Sequence, residues 1–298
     1  MTTTSGRIPV IFDTDIGQDI DDTWALAQLL RCPELDLRLV LTENADTVYR
    51  ARLAARLLEI ADRADVPVAV GLRQEDRPRP QEKWLDGYRL ADYPGLVYED
   101  GIEALIRTIM DAETTVTVIC VGPVPNIAQA LALEPGLAQK CRFVGMHGSV
   151  FKGYENAPDP TVEWNVRVDI PACRTVLSAP WRETTITPLD SCGLVRLDGA
   201  PYRRLLTSGD PLVRAVLDNY RIWAGHHPAW NPEAGSSVLF DTVAVHLACS
   251  TRFLNMQRLK IRVTEDGFTR PDPDGAPMNV ATGWNDLDAF KRDLVDRL

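Results

Sequence analysis

A chain of 298 residues, 45% hydrophobic and 25% charged, has apolar material for one large core, expected as a single domain over residues 1–298, and too even a composition for disorder. Its formal charge of −10 and isoelectric point near 5.0 argue against nucleic acid and toward a small molecule as partner. No apolar run approaches the roughly 20 residues of a membrane span, and the polar start MTTTSGR has no apolar stretch behind it, so a cytoplasmic protein without signal sequence or membrane partner is expected.

The first element is an apolar strand over residues 8–12, which runs directly into Asp13-Thr14-Asp15-Ile16-Gly17-Gln18-Asp19-Ile20-Asp21-Asp22, five carboxylates in ten residues. The run TWALAQLL behind it reads as a helix. A strand exit of this kind delivers hard oxygen ligands to one point, and crowded carboxylates either raise one another's pKa or are neutralised by a divalent ion. The plainer alternative is an acidic helix N-terminus, where Asp21 and Asp22 simply favour the dipole.

Strands over residues 35–41 and 66–70 alternate with a helix over residues 47–61, which predicts parallel strands joined by right-handed crossovers in a mostly parallel α/β sheet flanked by helices. Residues 73–95 break the rhythm with Pro78, Pro80 and Pro94 among charges and the aromatics Trp84, Tyr88 and Tyr93. A loop of that length is either a lid over an active site or a surface insertion. A helix over 101–112 and strands at 116–121, 141–146 and 184–187 follow, each strand leaving into a polar or glycine-bearing turn. In open α/β sheets ligands bind beyond the carboxyl ends of the strands, so these exits are expected to converge on the acidic stretch.

Three later segments have the chemistry to join it. Glu163-Trp164-Asn165 offers an acceptor, an aromatic face and an amide suited to a polyhydroxylated ligand, or else an ordinary loop entering a helix. Asp190 is an acid at a strand exit that could orient ligands from behind. Asp241, after Phe240, opens an apolar helix, for which an N-cap is the common explanation. The six cysteines at 32, 120, 141, 173, 192 and 249 form no CxxC pair and read as reduced core thiols.

Residues 13–26, 121–128, Glu163 to Asn165 and Phe240-Asp241 together resemble the nucleoside hydrolases, the inosine-uridine-preferring family and its purine-specific relatives. Residues 45–47, the strand ending at Gly71 and the tail 278–298 also fall in the expected order, so the resemblance spans nearly the whole chain. It implies hydrolysis of the N-glycosidic bond of ribonucleosides with a bound Ca2+ ion. By the same resemblance Asp15 binds the ion and takes the proton of the attacking water. Asp22, Asp241 and the backbone carbonyl of Val121 complete the metal site. Asn165, Glu163 and Asp21 match ribose contacts; Asp46 stands where the family has an asparagine near the sugar, and Asn156 is a gapped match to another sugar contact. The expected partner is a nucleoside, and the expected assembly a homodimer or homotetramer.

The chain departs from that pattern twice. Five residues separate Asp15 from Asp21 where the family's motif has three, with Asp19 added, so a bulged loop is expected that would move Asp21 relative to the ribose. Phe240 replaces the histidine that many inosine-uridine-preferring members use to protonate the leaving base, and His246 lies too far along the same helix to substitute. The purine-specific relatives use aromatic residues instead, and Trp164, Phe240 and Trp84 reproduce that set, stacking a purine so that its ring nitrogen is protonated from solvent. Phe240 as mere pocket wall is the alternative. Two other functions stay open: a calcium-loaded sugar-binding protein without turnover, and a haloacid dehalogenase-type phosphatase with Asp13 as nucleophile.

Overall fold

Strand β1 (Ile8–Thr14) buries Val10 and Phe12 in the core on one face and Ile11 in the core on the other. That alternation is the period-two signature of a strand covered on both sides. The computed structural model describes residues 6–298, so most of the opening stretch behind the signal-sequence expectation lies outside the described residues. Among the described residues no helix is long and apolar enough to cross a membrane.

The remaining strands are β2 (Leu35–Thr42), β3 (Val68–Val70), β4 (Val97–Tyr98), β5 (Val116–Cys120), β6 (Cys141–Gly145), β7 (Thr184–Ile186), β8 (Leu254–Val263), β9 (Thr269–Pro271) and β10 (Ala276–Trp284). They form one ten-stranded sheet in the order β4-β3-β2-β1-β5-β6-β7-β10-β8-β9. Pairing is parallel from β4 through to β10, and β8 is antiparallel to both β10 and β9. From β1 the chain steps outward to β4, then returns to lay β5 on the other side of β1. The crevice beyond the ends of β1 and β5 is therefore the topological switch point, where doubly wound sheets hold their ligands.

Several boundaries differ from expectation for local reasons. β1 extends through Asp13 and Thr14 because its ladder to β2 continues that far, carrying the first acid into the sheet. Helix α1 (Asp21–Leu30) starts two residues before Thr23, which puts the acid pair in its first turn. β3 begins just after Pro67, which has no N–H for the ladder. The antiparallel strands β8 to β10 were not read from the sequence; β8 is mostly exposed or half-buried along its length and lacks a clean apolar run.

Residues 73–95 pack onto the body of the fold. They include a short helix, Glu82–Leu85, and bury Trp84, Leu85 and Tyr93 against the core shared with helix α2 (Thr47–Ile60). The Arg56 guanidinium lies 4.9 Å from the Trp84 ring centre and donates to the Trp84 carbonyl. Trp84 thus faces the core and not a ligand, which corrects its expected role in stacking a base. Replacing it with alanine should cost about 3–5 kcal/mol of stability, read as a lower urea midpoint with KM for substrate unchanged. A large rise in KM with normal stability would show that the ring serves the site after all.

Candidate active site

The acidic stretch divides at Asp13. This carboxylate is fully buried at the end of β1 and accepts from Asn126 Nδ2 at 3.0 Å, while the same nitrogen donates to the Thr42 carbonyl at 3.2 Å. Burial, above all, raises its pKa to about 8. It groups with Glu43 and Cys120 beneath the sheet's end and does not line the cleft, so it is no nucleophile and the phosphatase alternative falls.

Asp15, two residues on, does line the cleft. Its Oδ2 accepts from Asn44 Nδ2 at 3.4 Å and lies 3.8 Å from the guanidinium of Arg50. Burial raises the Asp15 pKa, and Arg50 is the first of the charges that oppose this. Arg50 is itself buried on α2, donating from Nε to the Asn44 carbonyl at 2.7 Å and from Nη1 to the Ile16 carbonyl at 2.9 Å. One side chain therefore fixes both the acid loop and the turn after β2. That turn holds Asn44 and Ala45 at φ of 60° and 52°, an unusual left-handed pair for residues other than glycine.

The lengthened loop is held residue by residue. Tyr49 Oη donates to the Gly17 carbonyl at 3.0 Å, Trp223 Nε1 to the Gln18 carbonyl at 2.9 Å, and Gln81 Nε2 to the Asp19 carbonyl at 2.6 Å. Gly17 has φ of 113°, and a Cβ there would lie 2.7 Å from atoms of both Leu53 and Tyr49. Asp19 is open to the water of the cleft yet ringed by protein, and that desolvation raises its pKa against the Ile20 N–H and the charge of His227.

Beyond the loop, Asp21, Asp22 and Asp241 are buried with carboxylate oxygens within 4.8 Å of one another. Burial first, then repulsion from neighbouring carboxylates, Asp15 among them for each, raises all three pKa values well above the usual carboxylate value. Asp241 stands before the helix Thr242–Leu247, but its side chain makes no capping bond, so the N-cap explanation fails and the side chain is free for the acid group. Three buried acids this close make a place where a divalent cation could be held.

Glu163 opens a helix and also lines the cleft. Its carboxylate caps the helix Trp164–Val168 by accepting from Asn165 N at 2.7 Å and Val166 N at 3.2 Å, and also accepts from Gly148 N at 3.0 Å. It lines the cleft, and burial pushes its pKa up to about 7. Asn165 Nδ2 donates to the carbonyls of Val121 and Met146, each at 3.0 Å, which joins this segment to the end of β5. Trp164 lies between the guanidiniums of Arg77 and Arg167, at 5.0 and 4.8 Å. Phe240 meets Tyr154 edge to face at 6.2 Å.

One cleft of about 980 Å³ thus gathers Asp15, Asp21, Asp22, Val121 and Asp241. Glu163, Trp164, Asn165 and Phe240 line it too. Asp46 and Asn156 do not. Asp46 caps α2 by accepting from Tyr49 N at 3.1 Å and is ion-paired with Arg79 and Arg73. Asn156 sits exposed in a turn at φ of 61°, while its neighbours Tyr154 and Glu155 reach the cleft. Asp190 accepts from the N–H groups of Val150 and Phe151 at 2.9 and 2.7 Å and so holds a loop rather than a ligand. Sequence reasoning missed Asn44 and Arg50 behind Asp15, and also Trp223, His227, Trp230 and Arg196 in the cleft wall. The run Trp223-Ala224-Gly225-His226-His227-Pro228-Ala229-Trp230, dense in aromatic and imidazole rings, was the available signal.

Comparison with known proteins agrees with this geometry. The profile of the inosine-uridine preferring nucleoside hydrolases matches residues 10–291, and the chain belongs to that family. A non-specific ribonucleoside hydrolase, RihC, from Klebsiella pneumoniae subsp. pneumoniae is 33% identical over 228 residues, 72% of this chain and 73% of that protein. A pyrimidine-specific ribonucleoside hydrolase, RihA, from an Enterobacter species is 28% identical over 235 residues, 74% and 72% of the two chains. The plant nucleoside hydrolase PpNRh1 superposes with a TM-score of 0.83 over 98% of this chain and 99% of its own, at 21% identity, a likeness of fold. The protein is accordingly an N-glycosyl hydrolase of ribonucleosides, with an acidic group able to hold a divalent ion.

Proposed function

We propose that the enzyme is a calcium-dependent hydrolase of the ribonucleoside N-glycosidic bond that favours purine bases and releases free base and ribose. The observation that carries this reading is a single cleft shared by Asp15, the Asp21–Asp22–Asp241 group and the aromatic rings of Trp164, Phe240 and Trp223. The donors fit calcium: carboxylates of Asp15, Asp22 and Asp241 and the Val121 carbonyl are hard oxygens, with no thiolate or imidazole among them. A bound ion there neutralises the crowded acids and makes a water more acidic.

The chain's own groups do the rest. Asp15 takes the proton of the attacking water, held in orientation by Asn44 and Arg50. Asp21, Glu163 and Asn165 hold ribose hydroxyls, with Glu163 fixed by its three backbone donors. Positive charge grows on the sugar ring as the bond to the base breaks, and the buried carboxylates around it stabilise that state.

The relatives differ in base, RihC being described as non-specific and RihA as pyrimidine-specific, so the preference is argued from the cleft. Its aromatic lining suits the larger face of a purine, and purines offer a ring nitrogen that accepts a proton before the bond breaks. A nucleoside panel scored by reducing-sugar release, with and without chelator, tests both points. Inosine should exceed uridine in kcat/KM, and chelation should abolish turnover until calcium is restored. Equal values for the two nucleosides would overturn the purine preference; full activity in chelator would overturn the metal requirement. A homodimer or homotetramer is the expected assembly, read by light scattering.

A further inference from the structure

We propose that His227 protonates the departing base, and that Asp19, the acid added by the lengthened loop, positions its imidazole. Of the four histidines, His227 alone lines the cleft. His246 lies between Phe253 and Phe290 with Nε2 2.8 Å from the Arg252 carbonyl, and His147 is buried with Nε2 3.0 Å from the Gly122 carbonyl.

The ring is held for proton transfer at one atom. It stacks on Trp223 with centroids 3.9 Å apart and planes within 15°. Its Nδ1 lies 2.9 Å from the Trp223 carbonyl, which can only accept, so Nδ1 carries a hydrogen in either charge state. The exchangeable proton is therefore at Nε2, which has no hydrogen-bond partner among the described residues. A carbonyl on Nδ1 that fixes the tautomer is a recurrent arrangement behind working imidazoles.

Asp19 lines the same cleft as His227, and the loop that carries it is tied to the residue on which the imidazole stacks. The Trp223 indole donates to the Gln18 carbonyl at 2.9 Å, one residue from Asp19. The lengthened loop thus places one added acid, Asp19, in the cleft that a histidine enters from a different segment from the usual one. Arg196, over Trp230 at 4.6 Å, also lines the cleft.

The step balances without a further reactant. The bond from C1' to the base nitrogen breaks, its electron pair goes to the base, and the Nε2 proton moves to a ring nitrogen of that base. The water oxygen bonds C1' and yields a proton to Asp15, which returns it to solvent as His227 regains one.

This inference rests on the ribose-side reading above, and the test separates the two. p-Nitrophenyl β-D-ribofuranoside carries a leaving group that departs as a stable anion and needs no acid. Wild-type release of nitrophenolate measures the ribose side alone, and its absence would sink that reading and this inference with it. In His227→Gln and His227→Ala, kcat/KM for inosine should fall by about 10²-fold or more while turnover of the nitrophenyl riboside stays near wild type. Asp19→Asn should show the same split with a smaller loss, on the order of tenfold. Equal losses on both substrates would make His227 a packing residue, and an unchanged rate on inosine would remove it from the reaction; either overturns the proposal.

Discussion

Replacing Asp15 by asparagine should lower kcat on ribonucleosides by about 10²-fold or more, with KM changed far less. The amide keeps the shape of the side chain and an oxygen for the Asn44 contact at 3.4 Å, but it cannot take a proton. It also leaves the buried Arg50 guanidinium, 3.8 Å away in the wild type, without its nearest opposite charge at that point. A second effect follows, a loss of stability on the order of a few kcal/mol. A urea titration beside the kinetics keeps the two apart, because a folded variant with near-normal kcat would remove Asp15 from its role as base.

Asp241→Ala has an effect whose sign depends on calcium. With the ion present, the variant should bind less of it per chain, melt at a lower temperature and lose activity. A ligand at about 100 times its dissociation constant stabilises the wild type by about 2.7 kcal/mol, and the variant forgoes most of that. In chelator the order reverses. Beyond burial, Asp21, Asp22 and Asp15 raise the pKa of Asp241, so deleting that carboxylate relieves repulsion and the variant should melt above the wild type. Metal analysis and melting curves in both buffers check this. If protein prepared without chelator holds no divalent ion, and added calcium does not raise its melting temperature, the site assignment is wrong.

The parts of the site that were readable from sequence are those fixed by a strand exit. Asp15, Asp21 and Asp22 follow β1, Val121 follows β5, and the parallel topology brings both ends to one crevice. Asp241 was ambiguous because an aspartate before a helix is so often a cap; only its backbone geometry, with no side-chain bond to the helix, separates the readings. Asp46 was misplaced because the positive φ of Asn44 and Ala45 turns Asn44 toward Asp15 and leaves Asp46 at the start of α2. Nothing in residue type forecasts that turn, since neither residue is glycine. The aromatic wall was legible in part, Trp164 and Phe240 lining the cleft and Trp84 not. Trp84 and Trp223 are both tryptophans near charged residues, and which one lines the cleft depends on tertiary packing that periodicity does not carry.

The clamped acid loop has a consequence for the order in which the molecule assembles. Its three carbonyls are held from positions 32, 62 and 205 residues away along the chain, through Tyr49, Gln81 and Trp223. Contacts of such separation close late, because chain entropy must be overcome before they contribute. The parallel strands around β1 can therefore be in place while residues 17–19 are still unfixed, with Asp21 and Asp22 at the head of a formed helix but the turn before them wandering. During refolding, far-ultraviolet circular dichroism should recover ahead of catalytic turnover, and the interval between them should lengthen in Trp223→Phe, which keeps the ring but has no N–H for Gln18.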